Sequence, residues 1–61
     1  MLDYQRIEVF LDDRPLVVLC SMAEAFQYAE NLNLNGAIGI VDYRDADSGR
    51  LVGCRKLDGS F

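Results

Sequence analysis

The sequence predicts an α+β domain in which one helix packs on one face of a small antiparallel four-stranded sheet, in the order ββαββ. Four runs of the chain are rich in β-branched and aromatic residues, and one run has its apolar residues at helical spacing. Turn-forming residues separate the two strands within each pair. The chain of 61 residues is short enough to form one domain, residues 1–61, and the order of the strands in the sheet is left open.

The first pair of strands is predicted at residues 4–11 and 16–20. YQRIEVFL alternates between the two sides of a strand, and LVVLC is a short, continuously apolar run. DDRP, residues 12–15, lies between them, with two aspartates that can bond local backbone and a proline that fixes φ. These two strands are therefore expected to form a hairpin.

The helix is predicted to begin at Met22, because SMAE matches a capping box. Ser21 can accept from the amide of residue 24 while the side chain of Glu24 reaches back to the amide of Ser21. NLNLNG supplies residues that tolerate left-handed conformations, so the helix is predicted to end near residues 32–34. The stripe predicted to lie on the sheet has helical period: Met22, Ala25, Phe26, Ala29 and Leu32.

The second pair of strands is predicted at residues 37–44, AIGIVDYR, and 50–57, RLVGCRKL, around the loop DADSG. The letters DADSG also begin many calcium loops. Arg50 stands where such a loop needs glycine, however, and Lys56 stands where it needs a bidentate glutamate. We therefore interpret DADSG as a hairpin turn in which Gly49 takes positive φ and the Asp and Ser side chains bond local backbone.

One helix can cover only one side of the sheet, which leaves the other side without a helix. With Tyr43 opposite Leu51, the helix side is predicted to hold Ile7, Val9, Leu11, Ile38, Ile40, Val52 and Cys54. The other side then collects Tyr4, Arg6, Glu8, Phe10, Val41, Tyr43, Leu51 and Arg55. Gly39 and Gly53 fall on this same side, where they would let another surface approach the backbone. Such residue types are enriched at interfaces, so one interpretation is that this side binds a partner. The alternative interpretation is that the twist of the sheet covers some of these side chains within the monomer.

Several kinds of chemistry are disfavoured. The chain has no histidine, which removes Ser-His and Cys-His nucleophiles and leaves few ligands for zinc. Asp12 and Asp13 are adjacent in a turn, where their side chains diverge. We therefore expect no enzyme activity, no metal and no cofactor. Cys20 and Cys54 have apolar neighbours, which favours free thiols in the core, with a disulfide as the alternative.

Charge narrows the choice of partner. Ten acidic and six basic residues give a formal net charge of −4, which disfavours direct nucleic-acid binding and favours a partner with a basic surface. The first ten residues lack the pattern of a signal peptide, and no run reaches the ~20 apolar residues of a membrane span. We therefore expect a soluble, cytoplasmic protein without membrane contact.

Residues 17–61 combine a strand that ends in the S-x-x-E helix start, the alanine-rich AEAFQYAE, two further strands and a closing LDGSF. In this layout the chain resembles the small accessory proteins that phages and other mobile elements encode to block host machinery, including some anti-CRISPR proteins. The resemblance implies non-catalytic occlusion of a nucleic-acid-binding or assembly surface on a protein target. It assigns no functional residue to any position.

The leading hypothesis is a protein-binding module that acts as a stoichiometric inhibitor or adaptor on a partner with a basic surface. Its partner-binding residues are predicted on the side away from the helix and in the two turns: Tyr4, Arg6, Phe10, Asp12, Asp13, Val41, Tyr43, Asp45, Asp47, Leu51 and Arg55. The second hypothesis is a self-associating structural subunit or antitoxin-like partner, with a homodimer burying the apolar side. The third is a nucleic-acid-binding domain that uses the cations of the last hairpin, which nearby aspartates neutralise.

Overall fold

The computed structural model describes residues 5–59 and confirms the α+β class, with one helix on an antiparallel sheet of four strands. Its elements, in chain order, are β1 (Ile7–Leu11), β2 (Arg14–Leu19), α1 (Met22–Leu34), β3 (Ile38–Asp45) and β4 (Leu51–Asp58). Tyr4 and the predicted start of the first strand lie outside the described residues. Among residues 5–59, no helix has the length and apolar character needed to cross a membrane.

The two hairpins lie side by side, and the strand order is β2-β1-β3-β4. β1 pairs with β2 inside the first hairpin and with β3 across to the second one, so β1 and β3 are the inner strands. β2 and β4 are the edges of the sheet. α1 connects the edge strand β2 to the inner strand β3 and contacts all four strands.

The first hairpin closes through a two-residue turn, Asp12 and Asp13. Both residues have positive φ, 50° and 68°, and Leu11 pairs with Arg14 on either side of them. Positive φ at both central positions is the type I′ geometry, whose twist matches that of the flanking strands. Aspartate tolerates this conformation better than most side chains. Because the turn is this tight, β2 begins at Arg14, two residues earlier than the sequence predicted.

Both predicted ends of the helix are confirmed. Ser21 is the N-cap, and its Oγ accepts from the Glu24 N–H at 3.2 Å. At the other end Gly36 has φ of 89°, the Gly36 N–H donates to the Asn33 carbonyl at 3.0 Å, and the Ala37 N–H donates to the Leu32 carbonyl at 2.9 Å. This pair of bonds is a Schellman motif, which ends the helix where left-handed backbone is required.

The core lies between α1 and the sheet. Ala25 and Ala29 are fully buried on the helix, and their small side chains let the helix approach the strands closely. Beneath them, Val9 of β1 pairs with Tyr43 of β3. Within the described part of the chain the buried apolar residues are Ile7, Val9, Ala25, Ala29, Val41, Tyr43 and Leu57. Phe26, predicted to lie on the stripe, is half-exposed at the margin of this core.

The prediction of which side of β3 and β4 faces the helix is wrong. Val41 and Tyr43 are buried under α1, whereas Ile38 and Ile40 are exposed on the opposite side. The physical reason is that each strand has two alternating sets of residues, and in β3 the isoleucines alternate in phase with Asp42 and Arg44. Burying that set would place two charges beneath the helix, which costs more than exposing two isoleucines.

The predicted register of the second hairpin is also wrong. Tyr43 pairs with Gly53, two positions from the expected Leu51, and the pairing shifts between Tyr43 and Arg44, where Val52 is the extra residue of a bulge. The Tyr43 ring lies over Gly53, so that a Cβ added there would meet Tyr43 Cδ2 at 3.5 Å. Gly39 and Gly53 therefore do not open the uncovered side of the sheet to another surface.

The prediction that the two cysteines fill the core is wrong. Cys20 follows β2, Cys54 lies in β4, and both are exposed, free thiols. β2 and β4 are opposite edges of the sheet, so the strand order separates the two sulfur atoms. Cys54 pairs with Asp42 in the register of β3 and β4, which places it on the side away from the helix.

Asn33 joins the end of the helix to the end of β4. It is a buried polar residue, 7% exposed, and its Oδ1 accepts from the Asp58 N–H at 3.2 Å and the Gly59 N–H at 3.1 Å. Buried backbone donors require an acceptor, and this side chain supplies one acceptor to two of them. The sequence suggested Asn33 only as a residue that ends the helix.

We expect Asn33→Ala to lower the free energy of unfolding by about 1–3 kcal/mol, because two backbone donors lose their acceptor. Asn31→Ala is the matched control, since it makes the same change in helix propensity at an exposed position of α1. Urea denaturation followed by circular dichroism measures both variants. Equal stability of the two variants would show that the Asn33 bonds contribute nothing.

Candidate protein-binding surface

The side of the sheet opposite α1 carries a continuous set of side chains, which we call the open face. Cross-strand pairs fix its membership, because Glu8 pairs with Val18 and Arg44, and Asp42 pairs with Phe10 and Cys54. By these pairs the open face consists of Glu8, Phe10, Pro15, Val18, Ile38, Ile40, Asp42, Arg44, Leu51, Cys54 and Lys56. Leu16 and Val52 are bulge residues without a pair, and alternation along their strands places them beside Val18 and Cys54 on the same face. No second helix or strand layer covers it within residues 5–59.

Six large aliphatic side chains of the open face are exposed. Ile38 is 71% exposed, Val18 48% and Ile40 45%, and Leu16, Leu51 and Val52 are also above two fifths. The solvent side of an antiparallel sheet is usually polar, whereas contiguous exposed apolar groups mark an interaction surface. The prediction of an apolar, uncovered side is therefore confirmed for the sheet, but most of its residues differ from the predicted ones.

A charged cluster crosses the middle of the open face. The Arg44 guanidinium carbon lies 4.6 Å from the centre of the Phe10 ring, in a cation–π contact. Its Nη2 lies 3.5 Å from Asp42 Oδ2 and 3.8 Å from Asp13 Oδ1. Arg44 Nε is buried and has no hydrogen-bond partner among residues 5–59. Arg44 is thus held flat on Phe10 and separates the apolar residues of β2 from those of β4.

Of the two predicted aromatic anchors within residues 5–59, Phe10 lies on the open face. It is half-buried beneath Arg44, in the register position that pairs with Asp42. Leu51, a second predicted anchor, is 56% exposed at the start of β4. Both residues are therefore accessible at or beside the open face, as the sequence predicted.

Val41 and Tyr43 were predicted as anchors on the uncovered side, and that placement is wrong. Tyr43 is 3% exposed and makes an edge-to-face contact with Phe26 of the helix, with ring centres 5.3 Å apart and planes at 81°. Val41 is fully buried beside it. Both side chains are part of the core and contribute to stability instead of the open face.

Arg55 was also predicted on the uncovered side and lies on the helix side. Its Nη2 donates to Glu30 Oε1 of α1 at 2.8 Å. Arg55 pairs with Val41 in the register of β3 and β4, so the two residues share one side of the sheet. This ion pair fastens the outer strand β4 to the helix.

The predicted acidic residues of the first turn differ in their roles. Asp12 continues the ladder between β1 and β3, because its N–H donates to the Ile40 carbonyl at 2.9 Å and its Oδ1 accepts from the Ile40 N–H at 3.0 Å. Asp13 is highly exposed and faces Arg44. The Asp12 carboxylate is therefore used in a hydrogen bond within the domain, whereas the Asp13 carboxylate is exposed to solvent.

The DADSG loop is a turn, as the sequence predicted. The Asp47 N–H donates to Asp45 Oδ1 at 2.9 Å, the Arg50 N–H donates to Ser48 Oγ at 3.1 Å, and Gly49 has φ of 77°. The side chains of Asp45 and Ser48 thus accept from the turn's own backbone. Within residues 5–59 no group of three potential ligands is placed to hold a metal ion. Arg6, another predicted binding residue, forms an ion pair with Asp47.

Sequence reasoning missed Leu16, Val18, Ile38, Ile40 and Val52 as surface residues. A signal for the isoleucines was present in β3, where they share one alternating set with Asp42 and Arg44. For β2 no such signal existed, because LVVLC is apolar at every position.

Comparison with protein-family models, with curated proteins and with solved structures finds no match to this chain.

Gly39→Ala is expected to destabilise the domain by about 1–3 kcal/mol. Gly39 has φ of +144°, and a Cβ there would lie 2.5 Å from Asp12 Oδ2, inside the contact that joins the two hairpins. Gly53→Ala is the matched control, because its new Cβ meets only Tyr43 Cδ2 at an ordinary distance of 3.5 Å. We expect the control to change stability by less than about 1 kcal/mol. Similar urea midpoints for the two variants would contradict the prediction.

Burial raises the pKa of the Tyr43 phenol, and the positive charge of Arg55 partly opposes this shift. A raised folded-state pKa means that the contribution of Tyr43 to stability is complete below its unfolded pKa, about 10. That contribution is lost as the pH rises through the folded-state pKa. Stability should therefore fall above about pH 10.

Tyr43→Phe should remove the part of the fall in stability at alkaline pH that comes from Tyr43. Tyr28→Phe makes the same chemical change on the helix. Because it leaves the Tyr43 phenol in place, this control should show the same alkaline fall as wild type. The measurement is the free energy of unfolding in urea between neutral and alkaline pH. An identical pH dependence in wild type and Tyr43→Phe would show that the Tyr43 phenol is not protected by burial.

Proposed function

We propose that this chain is a non-catalytic protein-binding module whose open face docks on a partner protein. The observation that carries the proposal is the row of exposed aliphatic side chains on the side of the sheet that α1 does not cover. Burying one such side chain stabilises a complex by roughly 1.5–3 kcal/mol. Six of them around the Phe10–Arg44 contact supply the aromatic, arginine and aliphatic groups typical of interface centres.

Charge indicates what kind of partner this is. The formal net charge of −4 attracts a basic surface. On the open face Arg44 is already paired with Asp42 and Asp13, so its charge is compensated inside the molecule. Glu8 and the exposed Asp13 carboxylate remain to face cations of the partner.

A basic protein surface that has to be covered is typical of machinery that handles nucleic acids, because such surfaces neutralise phosphates. We therefore propose a stoichiometric inhibitor or adaptor, of the kind that the resemblance to phage and mobile-element accessory proteins implies, including anti-CRISPR proteins. Occlusion requires no chemical step, in keeping with a chain that has no histidine.

The test compares two substitutions that remove the same amount of apolar surface. Ile40→Ser changes the open face, and Leu34→Ser changes a similarly exposed side chain on the helix, 50% against 45%. Each tagged variant captures proteins from an extract of the organism that encodes the chain, and native mass spectrometry gives the stoichiometry.

We expect wild type and Leu34→Ser to retain one basic protein in a fixed ratio, with an association that weakens as salt rises. Ile40→Ser should weaken this association about tenfold or more, the equivalent of ~1.4 kcal/mol or more. Equal retention by the two serine variants would overturn the proposal. So would light scattering that shows a stable dimer which Ile40→Ser dissociates, because a second copy would then occupy the open face.

A further inference from the structure

β4 presents backbone groups that the sheet does not use. Ile40 directs both its N–H and its carbonyl toward Asp12, on the β1 side of β3. In an antiparallel pair the two groups of one residue point the same way, so the Ile40–Lys56 pair is a non-hydrogen-bonded pair of β3 and β4. The N–H and carbonyl of Lys56 therefore point outward, and those of Cys54, two residues earlier, do the same.

The two edges of the sheet differ in how they are protected. The pairing of both edge strands is interrupted by a bulge, but only β2 contains a proline within its paired segment, Pro15, which has no N–H to offer another strand. On β4 the outward N–H of Asp58 is satisfied by Asn33 Oδ1, which closes that end of the edge. Cys54 and Lys56 have no such acceptor or donor from within residues 5–59. β4 is therefore the edge strand whose backbone groups are free to pair with another strand.

We propose that β4 pairs antiparallel with β4 of a second copy, about a twofold axis at Cys54, to form a continuous sheet of eight strands. The outward-pointing backbone groups of one β4 must face those of the other β4. Because these groups belong to every second residue, the pairing of the two strands can change only in steps of two residues. Centring the axis on Lys56 or Arg55 would place like charges directly opposite each other. Centring it on Gly53 would shorten the overlap of the two copies of β4, because β4 extends further beyond Gly53 toward Asp58 than toward Leu51.

The Cys54 register avoids each of these conflicts. Lys56 falls opposite Val52 of the second copy, and Arg55, already paired with Glu30, falls opposite Gly53, where there is no side chain to displace. The sheet order also keeps the acidic first turn, Asp12 and Asp13, beyond the far side of β3 from this edge. In this arrangement the acidic first turns of the two chains lie apart from each other, which limits repulsion between two chains of net charge −4.

Such a dimer places both helices on one side and both open faces on the other. One open face projects an area of roughly 400 Å², from four strands about 4.8 Å apart and about 22 Å long. Two such faces side by side reach the roughly 800 Å² per partner of a standard protein interface. The edge contact does not depend on the docking function, and its test is independent of any partner.

Disulfide trapping tests the register directly. A hydrogen-bonded antiparallel pair has Cα atoms ~5.5 Å apart, within the range that a disulfide requires. Diamide is the oxidant: two thiols lose two electrons and two protons to form the S–S bond, and diamide is reduced to its hydrazine. Intact mass spectrometry without reductant follows the covalent dimer in Cys20→Ser, which retains Cys54, and in Cys54→Ser, which retains the equally free and exposed Cys20.

We expect Cys20→Ser to form covalent dimer at least about ten times faster than Cys54→Ser. In the Cys20→Ser background, Lys56→Pro removes the outward N–H and should slow trapping several-fold, whereas Lys56→Ala should not. Ile40→Ser should leave trapping unchanged, which separates this contact from docking on the open face. Equal rates for the two cysteine variants, or strong slowing by Ile40→Ser, would overturn the edge-paired dimer, and the cysteine comparison stands even if Lys56→Pro fails to fold.

Discussion

One helix of 13 residues covers one side of this sheet, and every other property of the molecule follows from that limit. At 1.5 Å per residue α1 is about 20 Å long, close to the width of four strands spaced about 4.8 Å apart. α1 contacts all four strands from one face of the sheet, and a single helix on that face leaves the other face uncovered. With 51% of the chain hydrophobic, both faces receive apolar side chains, and only one set is buried.

The charged residues of β3 determine which side of the sheet is buried under the helix. Its two alternating sets are Val41 with Tyr43, and the isoleucines with Asp42 and Arg44. Placing the isoleucine set under the helix would remove two ionised groups from water, whereas the other set has one charge, Asp45, at the end of the strand. The set with Val41 and Tyr43 is therefore buried, and the isoleucines lie on the open face. The exposed aliphatic residues of the open face are thus a consequence of the charges beside them, and those charges form the cluster around Phe10.

Local signals in the sequence predicted the elements well, because capping and turn chemistry act between neighbours in the chain. The capping box at Ser21 and the glycine at 36 set both ends of α1, and the DADSG loop forms the expected turn. Properties that depend on distant pairing were not predictable in the same way. The strand order, the bulge at Val52 and the acceptor role of Asn33 each arise from contacts between segments far apart in sequence.

The predicted surface was wrong because the second hairpin was assigned to the wrong side of the sheet. The register error is a separate one, since a shift of two positions leaves each side chain on its own side of the sheet and does not move Tyr43 from one side to the other. Weighing the charges of Asp42 and Arg44 against the apolar count would have placed the hairpin correctly.

The small core and the open face are coupled through stability. Among residues 5–59 seven apolar side chains are buried, a small core that gives the folded state little excess stability. A partner that binds the open face binds only the folded chain, and by mass action it adds to the free energy of unfolding. Until then the Arg44 cluster lies across the middle of the open face and shields Phe10 from water. A partner must therefore accommodate a charged guanidinium at the centre of an apolar surface, which selects against purely apolar contacts.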